Sequence, residues 1–180
     1  MGIILASASP RRRELLGEIT SDFKVIPSEV DENLPAGFTP KKVPLYLSKI
    51  KALDIAKDYP QDTVIGADTV VISENKILGK PKDRTDAYNM LKNLSGKKHK
   101  VITGCTVVKN GAIKSFSVVT TVRFRKLTNA EIEEYLATDE PYDKAGSYGI
   151  QGKGGAFVKK IKGDYFNVVG LPVKKLKKYI

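Results

Sequence analysis

Thr63-Val64-Ile65-Gly66-Ala67-Asp68-Thr69-Val70-Val71-Ile72 is a strongly apolar run with a single acid near its middle. Its wealth of Val, Ile and Thr reads as a β-strand, and Glu74-Asn75 marks a turn that leads into a returning segment at Ile77-Leu78. Asp68 is the anomaly. A carboxylate in so apolar a run is expensive to bury unless it is paired, bound to metal, or exposed at a kink that Gly66 could provide.

On the N-terminal side of this strand, Ile3 to Ala6 reads as a short buried strand. Ser9-Pro10 then reads as N-cap and first residue of a helix that continues through Leu15-Leu16. Phe23 to Ile26 suits a second short strand. Between Thr39 and Tyr59, Val43, Leu47, Ile50 and Leu53 keep helical spacing, with Pro44 expected to delay the start by a turn and Lys51 one turn after Leu47. On the C-terminal side, Thr85 to Leu94 reads as a helix closed by Gly96. Val101 to Val108 and Ile113 to Phe124 form a long hairpin joined at Asn110-Gly111, the dipeptide best suited to a two-residue primed turn. Thr128 with Glu131 makes a capping box for a helix through Leu136. Ala156 to Ile161 and Tyr165 to Val169 read as strands around Lys162-Gly163-Asp164, before a Lys-rich terminal helix. The pattern is mixed α/β with antiparallel hairpins, and no linker or repeat interrupts it, so residues 1–180 read as one domain.

The 180 residues carry 31 Lys+Arg against 20 Asp+Glu, with one Cys and one His. Lone Cys105 and lone His99 exclude an internal disulfide and a Cys/His zinc module. No apolar run approaches the roughly 20 residues of a membrane span, so no membrane partner and a cytoplasmic location are expected. The net charge of +11 suits nucleic acid, acidic membranes and polyphosphate substrates alike. Much of it lies in Lys pairs at segment ends, where solvated faces and helix dipoles account for it. No basic stretch is interleaved with stacking aromatics, which argues against a single-strand platform and any specific nucleic-acid partner.

Four places put polar chemistry where folding alone would not. Arg11, Arg12 and Arg13 crowd the positive end of a helix dipole, where acids are preferred. With Ser7 and Ser9 they can form a polyphosphate cradle, or they can be three exposed arginines. Asp68 is a general-base or metal-ligand candidate, or an Asp accepting backbone N–H groups in a bulge. Gly79-Lys80-Pro81 suits phosphate contact or a plain loop. Within Asp143-Lys144-Ala145-Gly146-Ser147-Tyr148-Gly149-Ile150-Gln151-Gly152, the Gln151 amide can read a nucleobase edge, or the segment is an irregular loop. Asp31-Glu32 adds an acidic pair that can help hold a divalent cation or lie solvated.

Together these segments resemble the Maf family of nucleoside triphosphate pyrophosphatases, also known as septum-formation inhibitors. The resemblance covers nearly the whole chain. It runs through Leu5-Ala6-Ser7, Ser9-Pro10-Arg11-Arg12, Glu32, Lys51-Ala52, Gly66-Ala67-Asp68-Thr69, Gly79-Lys80-Pro81, Leu94-Ser95-Gly96, Asp143-Lys144-Ala145-Gly146, Gly149-Ile150-Gln151-Gly152 and Val169-Gly170-Leu171-Pro172. It implies a mixed, elongated β-sheet with flanking helices, in two lobes around a nucleotide cleft as in the inosine triphosphate pyrophosphatases. It also implies hydrolysis of a nucleoside triphosphate to monophosphate and pyrophosphate with Mg2+ or Mn2+. By that resemblance Asp68 accepts the proton of the attacking water and, with Glu32, lies at the metal. Ser7, Arg11, Arg12, Lys51 and Lys80 match phosphate-cleft positions. The branch acting on dTTP and UTP carries Arg, Thr and Gln at three specificity positions, and this chain has Arg11, Thr69 and Gln151 there. The branch acting on 7-methyl-GTP carries a bulky aromatic, Gln and Glu. The implied role is house-cleaning of the nucleotide pool, modified pyrimidine nucleotides included, with homodimer assembly left open. The rival reading is a non-enzymatic regulator of cell division or a basic nucleic-acid-binding protein.

Overall fold

The computed structural model describes residues 1–180. Strand β1 (Ile3–Leu5) leads into helix α1 (Pro10–Gly17) and strand β2 (Lys24–Val25). Pro10 opens α1, and Ser9 Oγ caps it by accepting from Arg12 N at 3.5 Å. A 3-10 turn over Pro40–Lys42 runs into α2 (Val43–Ala56). Pro44 therefore does not delay the helix. It sits in the first turn, where an N–H has no intrahelical acceptor and a fixed φ is helical already.

Strand β3 (Thr63–Ser73) lies parallel to β1, with Ile3 opposite Thr63 and Leu5 opposite Ile65, and β1 is parallel to β2. Glu74 and Asn75 both take positive φ and turn the chain into antiparallel β4 (Lys76–Leu78). Helix α3 (Arg84–Leu94) follows, capped by Asp83, then β5 (Lys98–Lys109) and β6 (Ala112–Phe124). The predicted turn between them is present, with Asn110 at φ 49° and Gly111 at φ 75°. The capping box at Thr128 and Glu131 opens α4 (Asn129–Leu136) as expected. Strand β7 (Val158–Lys162) pairs antiparallel with β6. Strand order is β2-β1-β3-β5-β6-β7, with β4 paired to β3 off that path.

Two expectations fail near the C-terminus. Residues 153–157 are 3-10 rather than strand, so β7 starts at Val158. Tyr165–Val169 is a short helix, α5, followed by α6 (Val173–Leu176). Its aromatic and β-branched residues resemble a strand in composition. Helical turns nevertheless form, because Gly170, at φ 133°, lets both Gly170 N and Leu171 N return to Phe166 O.

The chain forms two compact units, and it passes from one to the other inside β3, β5, β6 and α5. Since each crossing falls within a regular element, no linker signature exists to be read. The first unit comprises residues 1–69, 102–118 and 166–180. Its core contains Ile4, Ala6, Ala52, Ile55, Val64 and Val108. The second comprises residues 70–101 and 119–165. There Phe124 meets His99, Tyr148 and Phe157 edge-on.

Two glycines of the first unit set how close α2 lies to the sheet. A Cβ at Gly66 would run into the Ser48 carbonyl oxygen and approach Ala52 N to 2.8 Å, and one at Gly104 would strike the Pro44 carbonyl. Gly66 thus provides room for a helix, and β3 continues through it without a break.

Candidate active site

In the first unit two polar networks meet at Asp68-Thr69. Successive strand residues point to opposite faces, so Asp68 shares the face of Gly66 and meets α2, whereas Thr69 meets α1. Lys51 Nζ donates to Asp68 Oδ1 at 2.9 Å and pairs with Glu32 Oε1, also at 2.9 Å. Asp68 therefore neither sits at an exposed kink nor accepts backbone N–H groups in a bulge; its partner is an ammonium. Burial raises its pKa above the ordinary carboxylate value; Lys51 and Arg12 oppose that shift, and Glu32 adds to it. A buried carboxylate with a raised pKa is chemically able to accept a proton from water.

The second network is organised by Arg12. Its Nε donates to Gly170 O at 2.9 Å, one terminal nitrogen to Ser7 Oγ at 3.1 Å and the other to Thr69 Oγ1 at 3.1 Å. Every acceptor is uncharged. Burial pushes the Arg12 pKa down and the Asp68 charge pushes back, but no carboxylate pairs with the guanidinium. A rigidly held, partly desolvated cation with no counter-ion favours an anionic ligand. Ser7 Oγ also accepts from Ser9 N at 3.3 Å. Both lone pairs are thereby engaged, and the hydroxyl proton is left to donate, as an anionic oxygen would require. Arg11 stands half-buried on the same helical turn without an ion pair.

Two members of this network carry no site signal of the kind read above. Thr103 of β5 and Asn167 of α5 are fully buried, with Thr103 Oγ1 2.9 Å from Thr69 Oγ1, and Thr103 N donating to Asn167 Oδ1 at 3.1 Å. A buried amide inside Tyr165-Phe166-Asn167-Val168-Val169 was the available signal.

Lys80 and Gln151 belong to the second unit, and both are exposed. Gly79 O, next to Lys80, accepts from Gly146 N at 3.0 Å. The loop carrying Gln151 is pinned by Glu140, which accepts from Lys153 N at 2.9 Å, Gly154 N at 3.0 Å and Tyr135 OH at 2.9 Å. The segment is thus a loop held in one shape, with Gln151 exposed on it. Other nucleophiles and bases are poorly suited to chemistry. Burial holds the Cys105 thiol up at about 12 and His99 down at about 4, and His99 packs against Tyr148 with Nε2 2.7 Å from its hydroxyl.

No group of three or more His, Cys, Asp or Glu side chains could enclose a metal ion. Glu32 and Asp68 do converge on one cation, the Lys51 ammonium. One or two carboxylates, with the remaining ligands from substrate and water, is how Mg2+ is commonly held at phosphate-handling sites, so the pair fits such an ion.

Replacing Lys51 by Met is expected to move the acidic limb of the kcat/KM profile to higher pH. With Asp68 as the base, kcat/KM falls as pH drops through its raised pKa; Lys51 is the main group lowering that pKa, so its loss raises it further. An unmoved limb in a pH-rate comparison would show that Asp68 is not the titrating base.

Residues 2–180 match the family model described as Maf-like protein. The chain is 49% identical to the dTTP/UTP pyrophosphatase of Clostridioides difficile, over 98% of this chain and 92% of that protein. It is 52% identical to those of Carboxydothermus hydrogenoformans (98% and 95% covered) and Pyrococcus abyssi (96% and 91%). Among solved structures, a HAM1 protein from Coxiella burnetii aligns over 98% of this chain and 96% of its own, with a TM-score of 0.54 and 14% identity. That likeness is one of fold.

Proposed function

The chain belongs to the Maf-like protein family, and from that premise we propose that it is a nucleoside triphosphate pyrophosphatase that converts dTTP and UTP to the monophosphate and pyrophosphate. The observation that carries this reading is the pairing of a buried, pKa-raised Asp68 with Lys51 on one face of β3, beside an Arg12 whose charge has no carboxylate partner. Asp68 takes a proton from the water that attacks the α-phosphorus. The bond from that phosphorus to the bridging oxygen breaks, and the pyrophosphate departs with the electron pair. Arg12, Arg11, Lys51, Lys80 and the Ser7 hydroxyl bind the phosphates and offset the charge that grows on the departing group. Glu32 and Asp68 would hold Mg2+ or Mn2+, which supplies further charge neutralisation and orients the phosphates. Arg11, Thr69 and Gln151 select the pyrimidine, modified pyrimidines included. The place of action is the cytoplasmic nucleotide pool; no helix is long and apolar enough to cross a membrane.

The test is Arg12→Ala. Loss of its hydrogen bonds to phosphate should lower kcat/KM for dTTP by roughly 1.5 to 3 kcal/mol, the usual worth of a hydrogen bond to a charged group. If dTTP hydrolysis is normal in the variant while salt-sensitive DNA binding is lost, the positive charge serves nucleic acid instead.

A further inference from the structure

The hydroxyl protons around Thr69 have only one consistent arrangement. Thr103 Oγ1 lies 2.8 Å from the Asn167 carbonyl oxygen, which cannot donate, so the single Thr103 proton points there. The 2.9 Å contact between the two threonine hydroxyls must then be supplied by the Thr69 proton. Arg12 donates to Thr69 Oγ1 from the other side and can accept nothing. Thr69 has its proton committed to Thr103 and one lone pair committed to Arg12, so it can offer a ligand only its remaining lone pair. Asn167 and Thr103 are fully buried, which keeps water from reversing the order.

We infer that Thr103 is a positioning residue that makes Thr69 an obligate acceptor, and that this acceptor takes the imide N3–H of uracil or thymine. The inference rests on the reading above that Thr69 contacts the base. Cytosine has a bare N3 acceptor at the same place, so a lone pair from Thr69 meets a lone pair and the base is rejected. Selection for an imide is then set one residue away from the substrate, by a threonine that never touches it.

Three measurements decide it. First, Thr103→Val keeps volume but frees the Thr69 proton to rotate and donate, so the UTP-to-CTP ratio of kcat/KM should fall by about tenfold or more, whereas Thr103→Ser should keep the parental ratio. An unchanged ratio in a folded Thr103→Val overturns the inference. Second, Thr69→Val separates the inference from its premise. If it leaves the ratio unchanged, Thr69 does not read the base at all; if it shifts the ratio while Thr103→Val does not, Thr69 reads the base and the fixed polarity is wrong. Third, the parent enzyme should hydrolyse the triphosphate of 3-methyluridine at least about tenfold less efficiently than UTP. Equal rates overturn the inference even if Thr103→Val does not fold.

Discussion

Asp68→Asn is expected to reduce kcat by about 10²- to 10⁴-fold, the usual contribution of a positioned general base, and by more if a metal ion is lost with it. The substitution is nearly isosteric. Asp68 lies in the interior of β3, and an amide oxygen at the same place can still accept from Lys51, so the fold and nucleotide affinity should survive. The loss should therefore fall on kcat rather than KM, which identifies an interaction that matters in the transition state. A variant that keeps more than about half the parental rate would remove Asp68 from the mechanism.

Gly66→Ala is expected to destabilise the protein and disarm it together. The added methyl meets helix backbone at the Ser48 carbonyl and lies 2.9 Å from Ala52 Cβ, and backbone in mid-helix cannot rotate away as a side chain would. Overpacking of this kind costs about 1–3 kcal/mol, occasionally more, and each kcal/mol lowers Tm by roughly 2–4 °C in a chain of this size. Relief comes from α2 lifting off the sheet or β3 bowing away from it, and either draws Lys51 away from Asp68. Calorimetry and a dTTP assay on the same sample should show both losses. Gly17→Ala is the control, because nothing lies within 4 Å of its Cβ. Unchanged Tm in Gly66→Ala would refute the tight seating of α2.

Much of this was legible because the signals were local. Ser9-Pro10, Asn110-Gly111 and Thr128 with Glu131 each specify a backbone geometry within a few residues, and each forms the cap or turn expected. Tyr165 to Val169 misled because a strand and a short buried helix draw on the same residue types; the outcome depends on Gly170 and on Asn167 reaching β5. The site residues that stood out were those that contradict their surroundings, namely an acid in an apolar strand and arginines at a helix N-terminus. Thr103 was invisible for the opposite reason. Threonine is ordinary in a strand, and its role comes from Asn167, 64 positions away in sequence. The Lys51–Asp68 pair likewise needs α2 seated on Gly66, a tertiary fact with no local sequence signature.

Hydrolysis of dTTP in heavy-oxygen water, with the products separated and weighed by mass spectrometry, tests the central claim most directly. Attack on the α-phosphorus predicts dTMP and unlabelled pyrophosphate in equal amounts, with the heavy oxygen in dTMP. Release of orthophosphate, or label in the pyrophosphate, would contradict it.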